Sequence, residues 1–104
     1  MDIQQKIKNL VENNKVVLFM KGTPEMPQCG FSARTIQCLK AVGAPIEAVD
    51  VLADAEIRQG IKDFTNWPTI PQVFIKGEFI GGCDIVGEMF QTGELKKVVE
   101  EALK

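Results

Sequence analysis

The segment MPQCGFSART, residues 26–35, places a single cysteine, Cys29, at the predicted junction of a strand and a helix. A Cys-x-x-Cys pair at such a junction is typical of redox enzymes, because the second thiol attacks the mixed disulfide that the first one forms. Ser32 occupies the second position here, and a hydroxyl group cannot close that disulfide. Cys29 must therefore pass a bound thiol to an outside partner, retain it, or act as a metal ligand.

Sulfur is the main source of reactivity in this sequence, which contains three cysteines and no histidine. The lack of histidine excludes imidazole bases, Cys-His dyads and histidine metal ligands. Cys38 follows Cys29 by nine positions, which is about 13 Å along a helix and beyond the roughly 7 Å Cα separation that a disulfide allows. We predict that Cys38 is an inert, buried thiol. The spacing of the cysteines also lacks the close ligand pair of a structural zinc site.

The third cysteine, Cys83, lies in the sequence GGCD between the last predicted strand and the last predicted helical region. Paired glycines permit a close approach of backbone segments, and main-chain amides at such a corner can bind a carboxylate. Two interpretations of Cys83 therefore remain open, a small packing residue or a member of a binding site. We expect Asp84 to be the N-cap of the helix that follows.

Composition and charge restrict the class of protein. The chain has 104 residues, of which 45% are hydrophobic and 25% charged, with a formal net charge of −2. This length predicts a single domain over residues 1–104, and the charge gives no footprint for nucleic acid. The longest apolar run, VVLFM, is too short for a membrane span. An odd number of irregularly spaced cysteines favours a reducing compartment, the cytoplasm or an equivalent organellar matrix.

The hydrophobic pattern predicts alternating helices and strands. The predicted elements are, in order, a helix capped by Asp2, a strand at 15–22, a helix at 30–42, a strand at 46–51, a helix capped by Asp54, two strands at 72–75 and 78–81 joined by a Lys76-Gly77 turn, and one or two helices from Asp84 to Lys104 interrupted near Gly93. A βαβ unit followed by a hairpin and a covering helix makes a mixed four-stranded sheet flanked by helices. The predicted class is therefore α/β with a thioredoxin-like layout and an extra N-terminal helix.

The predicted position of Cys29 at a helix start favours its thiolate, because unpaired amide N–H groups and the positive helix end attract an anion. An exposed helix terminus stabilises a negative charge by only about 0.3 to 1 kcal/mol. This is too little to ionise most of an ordinary thiol, whose pKa is about 8.5, at neutral pH. We therefore expect a cation nearby. Lys21, at the end of the first strand, is the best-placed residue, although it is alternatively a solvated lysine with no such role.

The segment NWPTIPQ contains two prolines that bracket a short turn. Pro71 directly precedes a predicted strand and is a candidate for a cis-proline, while the alternative is the trans form that most X-Pro bonds adopt. A cis bond there exposes the main chain of Ile70, which then pairs with an extended ligand.

Three segments, MKGTPEMPQCGFS, NWPTIPQ and GGCDI, have an order and spacing that resemble the monothiol glutaredoxins with a Cys-Gly-Phe-Ser active site, of the short single-domain type. The resemblance covers essentially the whole chain and implies a thioredoxin-like fold that binds glutathione beside Cys29. It implies that Lys21 and Arg58 hold the glycine carboxylate and that the Ile70 main chain pairs with the cysteinyl part. Cys83 and Asp84 match the positions that receive the γ-glutamyl end.

The same resemblance implies a carrier of a 2Fe-2S cluster in iron-sulfur cluster biogenesis and iron homeostasis. Such a cluster needs four soft ligands, and two copies of Cys29 with two glutathione thiols would supply them between two subunits. We expect a homodimer with the cluster and a monomer without it, and the resemblance implies BolA-like proteins and apo iron-sulfur proteins as partners. The alternative is a glutathione-dependent oxidoreductase in which a second glutathione or Cys83 releases the thiol bound to Cys29; in the carrier interpretation that enzyme activity is weak.

Overall fold

The computed structural model of this chain describes residues 2–104, which form five helices and four strands. The elements are α1 (Ile3–Asn13), β1 (Val16–Met20), α2 (Gly30–Ala41), β2 (Ile46–Asp50), α3 (Ala55–Thr65), β3 (Gln72–Ile75), β4 (Glu78–Gly81), α4 (Cys83–Thr92) and α5 (Glu94–Leu103). Their order matches the sequence prediction, with the last region divided at Gly93 into two helices. No helix within residues 2–104 has both the length and the apolar composition required to cross a membrane.

The helix starts follow local capping chemistry at two of the three predicted sites. The carboxylate of Asp2 accepts a hydrogen bond from the backbone of Gln5, and that of Asp54 accepts from Glu56 and from the next residue. The predicted N-cap at Asp84 is wrong, because Gly82 occupies the N-cap of α4 in an extended conformation. The strand ends immediately before it, so the helix begins sooner and Asp84 lies exposed in its first turn, where a negative charge is still favourable.

The sheet has the strand order β2-β1-β3-β4. Strands β1 and β2 are parallel, whereas β3 is antiparallel to both β1 and β4. The hairpin between β3 and β4 turns at Lys76 and Gly77, whose φ angles are 53° and 81°. Positive φ at both central residues is typical of the tight turn that matches strand twist. The predicted mixed four-stranded sheet is confirmed.

Two hydrophobic clusters cover the two faces of the sheet, and β1 contributes to both because successive strand residues point to opposite faces. Leu18 and Met20 belong to the cluster beneath α2, α4 and α5, whereas Val17 and Phe19 belong to the cluster beneath α1 and α3. Every residue of β1 is buried. Packing on both faces of the sheet therefore restrains this strand, so the position of the first residue of the following loop is well defined.

Candidate functional site

A groove of about 490 Å³ opens beyond the end of β1. It lies between the start of α2, the segment 67–71 and the start of α4. Its lining residues are Lys21, Cys29, Phe31, Trp67, Pro68, Thr69, Ile70, Pro71, Gly82, Cys83, Asp84 and Ile85. The structure thus brings together five of the six residues that the sequence analysis named as site residues. Arg58 is exposed on α3 and is not among the lining residues.

The loop between β1 and α2 carries Cys29 and is closed by backbone hydrogen bonds. The amide of Gln28 donates to the carbonyl of Lys21 at 2.9 Å, so the chain returns to the end of β1 just before the cysteine. The amide of Gly22 donates to the carboxylate of Asp50 at the end of the neighbouring strand, also at 2.9 Å. These bonds join the loop to the sheet and position Cys29 at the mouth of the groove.

Cys29 is the N-cap residue of α2 and is partly exposed. Its neutral thiol makes no conventional capping hydrogen bond, but its thiolate is favoured and its pKa is lowered. The backbone amide of Ser32 lowers the pKa most, partial burial opposes that effect, and smaller contributions come from the Phe31 amide, the Ser32 hydroxyl and the charge of Lys21. The helix start thus favours an ionised, nucleophilic sulfur.

The expected contribution of Lys21 to the pKa of Cys29 is confirmed, but it is smaller than the contributions of the helix groups. The amides of the first turn point along the helix axis toward the sulfur. The lysine acts only as a charge through partly solvated space, where Coulomb interactions are weak. We expected a cation to be the main group that lowers the pKa of Cys29 besides the helix terminus. That expectation overlooked the Ser32 hydroxyl group, which contributes more than Lys21 does.

Ser32 is the functional residue whose role the sequence analysis missed, because we read it only as a missing thiol. Its side chain is fully buried, and its hydroxyl oxygen accepts a hydrogen bond from the backbone amide of Lys21 at 3.2 Å. The same hydroxyl group favours the Cys29 thiolate. A hydroxyl group both donates and accepts, so Ser32 connects the end of β1 to the reactive sulfur. Its place at the third position of a helix that starts after Cys29 was the available signal.

The opposite wall of the groove contains the Ile70–Pro71 peptide bond, which adopts the cis form of the two that the sequence left open. The side chain of Ile70 is buried in the cluster beneath α1 and α3. Gly82 lies against this segment, and a Cβ atom at Gly82 would stand only 3.2 Å from the Pro71 carbonyl oxygen. The absence of a side chain at Gly82 therefore allows the start of α4 to approach the segment closely.

The two other cysteines differ in their relation to the groove. Cys38 is buried in the core, as predicted, and burial raises the pKa of its thiol, which disfavours the reactive thiolate. Cys83 is also buried, with 8% of its surface exposed, yet it lines the groove. Both interpretations of Cys83 thus describe part of its position, since it packs in the interior and borders the site.

Large apolar side chains surround the groove on its exposed side. Phe31 is 63% exposed, and Trp67 and Ile85 are each 40% exposed. The sequence did not assign a role to these three residues, although each of them lies within one of the three quoted motifs. Their exposure gives the groove an apolar rim around a polar, anion-stabilising centre.

Comparison with known proteins shows the family of this chain. The family described as Glutaredoxin matches residues 16–80. An uncharacterized monothiol glutaredoxin of the ycf64-like type from Synechocystis is 58% identical over 98% of this chain and 95% of its own length. The mitochondrial monothiol glutaredoxin-5 of Lachancea kluyveri is 55% identical over 97% of this chain and 73% of its own. The chain therefore belongs to the glutaredoxin family, and these relatives are of the monothiol class.

Solved structures of glutaredoxins share the same arrangement. The buckwheat glutaredoxin-glutathione complex superposes with a TM-score of 0.84 at 30% identity, covering 96% of this chain and 89% of that one. The holo form of glutaredoxin C1 from Populus tremula x tremuloides gives a TM-score of 0.87 at 33% identity, covering 97% and 89%. The thioredoxin-like fold of the chain is thus shown by its structural relatives.

Proposed function

We propose that this protein binds glutathione in the groove and holds a 2Fe-2S cluster between two copies of the chain, for delivery to acceptor proteins. The observation that carries this proposal is the contrast among the three cysteines. Cys29 is partly exposed at the groove with a lowered pKa, whereas Cys38 and Cys83 are buried. One chain therefore presents one accessible, readily ionised sulfur.

The groove suits an extended tripeptide that carries charges at both ends. Its volume lies within the range of about 300 to 1,000 Å³ that is usual for small-molecule sites. Lys21 lines the groove and its charge matches a carboxylate, and Ile70, whose main chain is the proposed partner of the cysteinyl part, lines it as well. At the start of α4, the amides of Cys83 and Asp84 suit a carboxylate, while the Asp84 side chain suits an ammonium group. The buckwheat complex supports glutathione as the ligand within this family.

Arg58 stays a predicted ligand of the glycine carboxylate. It lies on the exposed surface of α3, and its role requires the long side chain to extend toward the bound tripeptide. Arginine has the flexible stem and the planar charged group that such a reach demands. The proposal for glutathione binding depends on the groove residues and stands without it.

The cluster is the cargo of the proposed carrier, and its ligand requirement explains the single reactive cysteine. A 2Fe-2S cluster is held by four ligands, usually thiolates. Two copies of Cys29 and two glutathione thiols complete that set between two chains. Because half of these ligands are small molecules that exchange with solution, the cluster is labile and suited to transfer. The holo form of the poplar relative supports a loaded state in the family.

The proposed assembly is a homodimer with cluster and a monomer without it, and its acceptors are apo iron-sulfur proteins. A BolA-like protein is a further proposed partner that would replace one of the two chains. We propose a reducing compartment as its site of action, because the function requires Cys29 and glutathione as free thiols.

Anaerobic reconstitution with ferrous iron, sulfide and reduced glutathione tests the carrier function. We expect visible absorption from a 2Fe-2S cluster in a species of dimeric size, lost in Cys29→Ser and lost when glutathione is omitted. Cys38→Ser is the matched control, because it removes a buried thiol away from the groove, and it should load normally. A colourless monomer under all conditions would contradict the proposal.

The lowered pKa of Cys29 also favours a second function, thiol-disulfide exchange with glutathionylated proteins. In that reaction the Cys29 thiolate attacks the glutathione sulfur, the protein thiol leaves, and a second glutathione regenerates Cys29 as glutathione disulfide forms. A release by Cys83 would instead form an intramolecular disulfide. Cys83→Ser tests that second route, because cluster binding and release by glutathione should survive whereas a Cys29–Cys83 cycle would be abolished.

A further inference from the structure

Gln72 is a fully buried polar residue immediately behind the groove. It is the first residue of β3, follows the cis-proline, and has 0% of its surface exposed. Its backbone lies opposite Phe19 in the register of β1 and β3. It does not line the groove, so it contacts no ligand there directly. A buried amide in this position requires an explanation from its hydrogen bonds.

The side chain of Gln72 joins the sheet to the segment that forms one wall of the groove. Its Nε2 group donates to the carbonyl oxygen of Trp67 at 3.0 Å and to that of Thr69 at 3.1 Å. These carbonyls lie on either side of Pro68, which has no amide hydrogen. Only the NH₂ end of the side chain can serve two carbonyl oxygens, so the amide orientation is determined by its partners.

The other end of the same side chain is unsatisfied. Among the residues that the structure describes, Gln72 Oε1 is a buried oxygen without a hydrogen-bond partner. A buried acceptor without a partner destabilises a fold, and an apolar side chain of similar size avoids that cost. The contribution of Gln72 therefore lies in its two donated bonds, both of which end on the groove wall.

We propose that Gln72 is a positioning residue for glutathione binding, which holds the segment Trp67–Thr69 against the sheet and so places the Ile70 main chain opposite Cys29. The inference rests on the proposed binding of glutathione in this groove. Trp67, Pro68 and Thr69 are all exposed, so packing against the core restrains them weakly. The Trp67 amide also donates to Thr65 Oγ1 at 3.1 Å and its ring lies 6.1 Å from that of Phe79, but the Nε2 bonds join both Trp67 and Thr69 to β3. A ligand that pairs with the main chain binds more tightly to a wall that is already in place.

Two substitutions remove the donated bonds in different ways. Gln72→Met keeps a similar volume, removes both donors and also removes the unsatisfied oxygen, so the fold is expected to persist. Gln72→Glu replaces the NH₂ group with an oxygen that faces two carbonyl oxygens. The carboxylate is repelled there, whereas the neutral carboxyl donates one bond. Burial and the carbonyls favour that neutral form and raise its pKa above the usual range for a glutamate.

The test measures reduced glutathione binding to the apo protein by NMR titration, together with the pH profile of Cys29 alkylation by iodoacetamide. We expect the dissociation constant to rise at least about fivefold in Gln72→Met at pH 7.5, because a loose wall must be ordered on binding. Gln72→Glu should be at least as weak at pH 7.5 and should recover part of its affinity as the pH is lowered. The alkylation profile should match the wild type in Gln72→Met, since the pKa of Cys29 is set on the other wall.

Gln4→Met is the matched control, because Gln4 Nε2 also donates to a backbone carbonyl, that of Gly60 at 3.0 Å, where α1 meets α3. It should leave glutathione affinity unchanged. Equal binding by the wild type and both Gln72 variants would overturn the inference and leave the proposed function standing. Equal weakening by Gln4→Met, or a shifted alkylation profile in Gln72→Met, would assign Gln72 a general structural role instead. No binding by the wild type would overturn both proposals.

Discussion

The two walls of the groove are built in different ways. The wall that carries Cys29 is the first turn of α2. Burial raises the pKa of this thiol, and the groups that lower it most are two helix amides and the Ser32 hydroxyl, all within three residues of Cys29. The opposite wall joins the cis-proline segment, Gly82 and the start of α4. Reactivity is thus a local property of one helix, whereas ligand placement depends on contacts between distant parts of the chain.

The largest effect is expected from removing the sulfur of the reactive wall. Cys29→Ser should reduce both cluster loading and glutathione-dependent thiol exchange to background, because serine is neither a soft ligand nor a nucleophile at neutral pH. Reconstitution absorbance and an exchange assay with a glutathionylated peptide measure these two activities. If Cys29→Ser kept its thiol-exchange activity, the reactive thiol would lie elsewhere, and the contrast between a reactive wall and a binding wall would be wrong.

The next largest effect is expected on the binding wall. In Gly82→Val the added Cβ would lie 3.2 Å from the Pro71 carbonyl oxygen, and its two methyl groups add further crowding. Overpacking of this kind costs about 1 to 3 kcal/mol, equivalent to a loss of affinity of about 5-fold to 150-fold where it falls on the bound state. NMR titration with reduced glutathione measures the loss.

The matched control for that substitution is Gly30→Ala, because a Cβ at Gly30 meets no atom within 4 Å. We expect its glutathione affinity to equal that of the wild type. The alkylation profile of Cys29 should not change in Gly82→Val. A shifted profile would show that the two walls are coupled and that the division between reactivity and binding is wrong.

A moderate effect is expected from Ser32→Ala, which removes the hydroxyl group but retains the backbone amide that contributes most. The pKa of Cys29 should rise, so the midpoint of alkylation against pH should move to higher pH. At pH 7 the alkylation rate should fall by about several-fold, because only the thiolate reacts. Glutathione affinity should change little. An unchanged midpoint would show that the hydroxyl group serves only the backbone of Lys21.

The smallest effect on the reactivity of Cys29 is expected from Lys21→Gln, because the charge of Lys21 is the weakest of the groups that lower the pKa of Cys29. At low ionic strength the alkylation rate at pH 7 should fall by less than about threefold. The difference from the wild type should shrink further at about 0.5 M salt, where the Debye length is short. A salt-independent loss larger than that of Ser32→Ala would reverse the assigned order of these two residues.

Much of the fold is encoded in short segments of the sequence. The caps at Asp2 and Asp54, the turn at Lys76-Gly77 and the helix break at Gly93 all involve residues close to one another along the chain. Such interactions are available to inspection of the sequence, because they need no knowledge of what packs nearby. The predicted N-cap at Asp84 was wrong because Gly82, two residues earlier, was another local candidate for the start of the same helix.

The sequence predicted which residues make up the candidate site more completely than it predicted what each of them does there. Motif order indicated Lys21, Cys29, Ile70, Cys83 and Asp84, and all five line the groove. The same pattern indicated Arg58, which the structure places on an exposed helix surface outside the lining residues. Motif matching gives residue identities but not the direction in which a side chain reaches.

The sequence by itself indicated Cys29 as the candidate reactive residue, the helix that favours its ionised form and the order of elements around it, because capping, turn formation and strand burial act over a few neighbouring residues. Only the tertiary structure decided that Ser32 connects β1 to the sulfur, that Cys83 is buried and yet borders the groove, and that Gln72 fastens the far wall. Burial and hydrogen-bond partners depend on contacts between elements far apart along the chain, and those contacts exist only once the sheet has brought them together.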